Sequence, residues 1–74
     1  MSDIINDVGF NIRRLREEKD LTQEELGDLA GLHRAYIGQI ERGEKNIGIR
    51  NLEKIATALQ VDMKTLLSPQ SLGD

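Results

Sequence analysis

The stretch QEELGDLAGLHRAYIGQIER, residues 23–42, holds two short segments of helical apolar spacing on either side of a glycine, and its reading decides the fold. Leu26, Leu29 and Ala30 give the first segment an inward face, and Gly31 stops it. The second begins within Leu32–Arg34 and runs to about Glu41, with Ile37 and Ile40 inward and Gly43 as its stop. If the helices are to cross steeply, the turn between them needs a backbone conformation that glycine takes without strain. Gly27, four residues before Gly31, supplies a small residue where the helices would touch. Ile37 and Ile40, six and nine residues after Gly31, would plug the angle between them. This pattern reads as a helix-turn-helix; an ordinary αα-corner is the alternative.

Helical signals continue on both sides. Thr22 and Glu25 form a capping box at the start of the first segment. Upstream, Val8, Ile12 and Leu15 fall at i, i+4 and i+7, with Arg13, Arg14, Glu17 and Glu18 between them. That helix ends near Lys19-Asp20, where Asp20 can take the left-handed conformation. Downstream of the polar loop 43–48, Leu52, Ile55, Ala56 and Leu59 make the clearest stripe in the chain. Asp62 is predicted to cap a short fifth helix holding Met63, Leu66 and Leu67. Strand signals are weak, with one Phe, one Tyr and no Trp. The fold class is therefore all-α. Five short helices form a single domain over residues 4–68, with the helix-turn-helix at 23–42 and a frayed tail at 69–74.

With 74 residues the chain allows one domain and only a modest core. There is no cysteine, so no disulfide or thiolate metal site staples it. No apolar run approaches a membrane span, and the acidic start MSDIINDVGF lacks the order of a signal peptide. A soluble, cytoplasmic protein is expected. The net charge of −3 argues against nucleic acid at face value. Its distribution softens the objection: residues 1–31 hold four basic and eight acidic side chains, but residues 32–54 hold five basic and three acidic. A local basic patch can act within an acidic whole.

From Gly9 to Leu67 the chain resembles the phage-repressor type of helix-turn-helix domain, the xenobiotic-response-element family. The matching residues are Ile12-Arg13-x-Leu15-Arg16, Leu21 through Leu26, Ala30-Gly31-Leu32, Tyr36-Ile37, Ile40-Glu41-Arg42-Gly43, and Leu52 through Leu59 with Val61. Leu32 through Ile37 and Ile40 through Gly43 are most similar to the small controller proteins of restriction–modification systems. The resemblance implies a compact, lambda-repressor-like DNA-binding domain that regulates transcription.

In that geometry the N-terminal part of the second helix of the motif enters the major groove. Arg34, Ala35, Tyr36 and Gln39 are then the base-reading candidates. The planar fork of Arg34 matches the O6 and N7 acceptors of guanine; a solvated arginine or a phosphate contact is its alternative. Ala35 offers only a methyl group, where similar chains often carry a polar residue. The Tyr36 hydroxyl either reaches DNA or leaves its ring lying over the domain. The resemblance places a phosphate clamp at Gln23 and further phosphate contacts at Arg42, Lys45 and Asn46, and His33 either caps the helix or touches phosphate. Glu44 stands where the pattern is often basic and should weaken binding or sharpen its salt dependence. The resemblance also implies an ion pair between Arg16 and Glu41 that orients the reading helix; two unrelated surface charges are the alternative.

Ile47, Ile49, Val61, Met63 and Leu66 form an apolar surplus. Similar proteins dimerise through this region, so these five are the expected homodimer interface, with two reading helices roughly 34 Å apart on a near-palindromic operator in double-stranded DNA. The competing reading keeps the fold but binds protein, as an antitoxin-like module would, and the acidic N-terminal third favours it. Nothing points to an enzyme: there is no nucleophile–His–carboxylate set, no phosphate-cradling loop and no metal-ligand spacing around the lone His33. No cofactor or small-molecule ligand is expected.

Overall fold

The computed structural model describes residues 3–69. Five helices run in order: α1 (Ile4–Glu18), α2 (Gln23–Ala30), α3 (Arg34–Glu41), α4 (Ile49–Leu59) and α5 (Met63–Leu67). Pro69 ends the described chain, and the rest of the expected frayed tail lies outside the described residues.

The helix boundaries follow local hydrogen-bond chemistry. Asp3 caps α1 by accepting from Ile5 N at 3.0 Å. At α2 the capping box closes in both directions: Glu25 N donates to Thr22 Oγ1 at 3.0 Å, and Thr22 N donates to Glu25 Oε1 at 2.8 Å. Gly31 ends α2 with φ +72°, the left-handed conformation needed to turn the chain into α3. Asp20 takes the same region, with φ +57°. Asp62 occupies the N-cap position of α5, but its side chain makes no capping bond.

Val8, Ile12 and Leu15 from α1, Leu26 and Ala30 from α2, Ile37 and Ile40 from α3, and Leu52, Ile55, Ala56 and Leu59 from α4 form one buried cluster. Two expectations fail. Leu29 is not inward; it is 61% exposed. The buried arc of α2 runs through Leu26, Gly27 and Ala30, and at 3.6 residues per turn Leu29 lies about 100° from the middle of that arc. Leu66 is not available to a partner, because it is fully buried in the core. The cause is Asn11, itself buried, whose Nδ2 donates to the carbonyls of Leu66 at 2.9 Å and Ser68 at 2.7 Å. This amide satisfies carbonyls at the end of α5 and lays that helix on α1.

Two glycines stand where a side chain would strike the backbone of a neighbouring segment. A Cβ at Gly27 would collide with the carbonyl oxygen of Leu32, which explains a small residue where α2 meets the turn. A Cβ at Gly9 would collide with the carbonyl oxygen of Ile40 and come within 2.9 Å of that of Glu41. Backbone carbonyls cannot swing aside as a side chain can, so α1 would have to retreat from the end of α3. Among the described residues no helix is long and apolar enough to cross a membrane. Gly9→Ala is expected to destabilise the fold by about 1–3 kcal/mol, despite the better helix propensity of alanine, as read by urea unfolding monitored by circular dichroism.

Candidate nucleic-acid interface

Helix α3 presents a polar face because its apolar residues are used inward. Ile37, Gly38 and Ile40 are buried; Arg34 and Ala35 are exposed, and Tyr36 and Gln39 are half-buried. Ala35 and Gln39, four residues apart, share one outward face, and Arg34 is exposed in the first turn before them. His33 is the N-cap: its Nδ1 accepts from Ala35 N at 3.0 Å, so that nitrogen carries no proton and Nε2 is the donor. Arg34 stands 3.8 Å from Glu24 of α2, too far for a hydrogen bond, and both side chains are largely solvated.

Behind this face lies a buried charge network. Arg16 of α1 makes a bidentate pair with Glu41 at the end of α3, Nε to Oε2 at 2.7 Å and Nη2 to Oε1 at 3.0 Å. The side chains of Arg16 and Glu41 are only 11% and 3% exposed. Arg16 Nη1 also donates to the Leu21 carbonyl at 2.8 Å, which fixes the chain entering α2. Hydrogen bonding to Glu41, which outweighs the burial, raises the Arg16 pKa above the usual arginine range. Gln23, the first residue of α2, completes the network: its Nε2 donates to Glu41 Oε1 at 3.1 Å. The expected phosphate clamp is thus held by the same carboxylate that holds α3.

Arg42, the C-cap of α3, lies over Gly38 beside Gln23; a Cβ at Gly38 would come within 3.0 Å of Arg42 Nη1 and 3.3 Å of Gln23 Oε1. Glu44 pairs with Arg42 through two hydrogen bonds. Hydrogen bonding to Arg42 holds the Glu44 carboxyl below the usual carboxylate range. Lys45 and Asn46 are exposed but set apart, at the rim of an apolar groove with Ile4, Ile5 and Ile47. Reading the sequence missed Asn51 of α4, whose Nδ2 donates to Tyr36 Oη at 3.0 Å. That bond fixes the Tyr36 ring against α4 and leaves its hydroxyl hydrogen available to an outside acceptor. No local pattern relates residues 36 and 51, so only the tertiary arrangement that brings the start of α4 near Tyr36 reveals it.

A helix-turn-helix family profile (HTH_3) matches residues 12–66, from the inner face of α1 to the buried residue of α5. The chain belongs to the helix-turn-helix family. It is 40% identical over 70 residues to the control protein C.SmaI of Serratia marcescens, covering 95% of this chain and 83% of that protein. The restriction–modification controller protein C.AhdI from Aeromonas hydrophila has a similar structure, with a TM-score of 0.82 and 42% identity over 84% of this chain and 94% of that one. SinR, a regulator of biofilm formation whose structure is known in complex with DNA, superposes with a TM-score of 0.79 and 37% identity, covering 82% and 98% of the two chains.

The helix-turn-helix is therefore α2, the turn at Gly31, and α3. Its relative orientation is held from behind by Arg16, Glu41 and Gln23. Glu41→Ala would leave the Arg16 guanidinium buried without its carboxylate. The variant is expected to lose on the order of 3 kcal/mol of stability, seen as a lower urea midpoint at unchanged slope.

Proposed function

We propose that this protein is a DNA-binding transcriptional regulator that reads its operator with α3. The observation that carries the reading is the exposed end of α3, Arg34 and Ala35 with Gln39 one turn on, projected from a helix clamped by a buried ion pair. The family match and the likeness to control proteins and to a DNA-bound regulator support it. Arg34 and Gln39 are the base readers, with Ala35 allowing close approach or meeting a thymine methyl. Gln23, Arg42 and the Tyr36 hydroxyl take phosphates, with Lys45 and Asn46 further out along the loop. His33 holds the first turn of α3 through its cap. The control-protein relatives favour a controller role in a restriction–modification system over other operons.

The reading includes a two-fold homodimer, since one small reading helix makes few contacts at cellular salt. Of the residues first assigned to its interface, Ile49 is 72% exposed, whereas Ile47, Val61 and Met63 are half-buried against the core and Leu66 is inside it. Exposed Ile4 and Leu67 join Ile49 around one groove, so the dimer face centres on the start of α4 and the adjoining ends of α1 and α5.

Duplex DNA from upstream of the protein's own gene is expected to bind with an affinity that falls steeply with salt. Arg34→Ala should lower discrimination at one base pair of each half-site by about 1–3 kcal/mol. An equal loss on every sequence would reassign Arg34 to phosphate, and no binding to any such fragment would overturn the reading. Ile49→Lys should lower the sedimenting mass from dimer to monomer at micromolar concentration; an unchanged mass would remove this face as the interface.

A further inference from the structure

The recognition helix ends in a turn that places a carboxylate on Arg42. Gly43 has φ +73°, Gly43 N donates to Ile40 O at 3.1 Å, and Glu44 N donates to Gln39 O at 2.9 Å. These bonds form a Schellman motif, which fixes the Glu44 backbone relative to the last turn of α3. The Glu44 side chain is therefore launched from a pinned position. Both its oxygens meet the guanidinium, Oε2 at 2.8 Å from Nε and Oε1 at 3.2 Å from Nη2. This is the fork geometry in which arginine also binds phosphate. Arg34, by contrast, has only a single solvated carboxylate, beyond hydrogen-bond distance.

We propose that Glu44 is an internal phosphate mimic: it occupies the phosphate-binding fork of Arg42 and must be displaced before that arginine engages the DNA backbone. The inference rests on the DNA-binding reading above. Sequence-independent binding is then reduced by one contact per protomer. The base contacts of α3 do not touch Glu44 and keep their value, so operator and random-sequence affinity fall by the same factor, and sequence-independent binding drops to a level that needs more protein or less salt to be populated. Glu44 is thus a positioning residue that sets the strength of backbone binding through Arg42. It also gives a physical reason for an acidic chain to tolerate carboxylates next to its reading helix.

The test is a cycle of four full-length chains: wild type, Glu44→Gln, Arg42→Gln and the double variant. Each is titrated by fluorescence anisotropy with a random-sequence duplex over a range of salt. Circular dichroism melts establish that all four are folded, which is expected because both side chains are exposed. Glu44→Gln should raise affinity for the random duplex by roughly 3- to 10-fold and steepen the slope of log K against log salt by about 0.9 per protomer. In the Arg42→Gln background the same substitution should give little of that gain. An equal gain in both backgrounds would show plain charge repulsion and overturn the proposal, as would no gain in either. Failure of all four chains to bind any duplex at low salt would instead overturn the DNA-binding reading, and this proposal with it.

Discussion

The bidentate bond between Arg16 and Glu41 joins the first helix to the end of α3, and much of the molecule is arranged around it. Arg16 also grips the Leu21 carbonyl, and Glu41 also accepts from Gln23. One buried charge pair thus meets α1, the entry to α2, the first residue of α2 and the last of α3. Taking two charges out of water is costly, and an apolar pair of the same size would often stabilise a fold equally well. What an apolar pair lacks is directionality. The fork of the guanidinium accepts the carboxylate in few orientations, and this fixes the direction in which α3 projects its outer face. Gly9 makes the geometry possible by letting α1 approach the carbonyls of Ile40 and Glu41.

The same residue types play opposite parts on the outer face. Behind α3, carboxylate and guanidinium are dry and hold position. In front of it, Arg42 and Glu44 are solvated and their pairing is exchangeable. A surface pair of this kind contributes little to stability, so its consequence lies in what it competes with. The net charge of −3 describes the whole chain and misses this arrangement. Arg34 and Arg42 differ at that surface: Arg34 has one solvated carboxylate beyond hydrogen-bond distance, and Arg42 is held by two hydrogen bonds.

Much of the fold was legible because its signals are local. The capping box at Thr22 and Glu25, the left-handed turns at Gly31 and Gly43, and the stripe through Leu52, Ile55, Ala56 and Leu59 each involve residues within about two helical turns of one another. The inward places of Ile37 and Ile40 follow from their offsets to Gly31, since the turn itself sets the crossing of the two helices. Arg16 and Glu41 were legible only through resemblance, because 25 residues separate them and no spacing rule relates them. Leu29 and Leu66 were misread for a common reason. A short helix shows which residues are apolar, but not which of them a distant element will cover.

The sequence by itself determined where helices begin and end, that five of them form the described domain, and which end of α3 is polar. These depend on backbone capping and on a period of 3.6 residues, both properties of neighbouring residues. Tertiary structure alone decided that Asn11 draws α5 onto α1, burying Leu66 and leaving Ile49 with Ile4 and Leu67 at the surface. It alone decided that Asn51 anchors Tyr36 and that Gln23 shares its carboxylate with Arg16. Such pairings join residues far apart in the chain, and they exist only once the helices have packed.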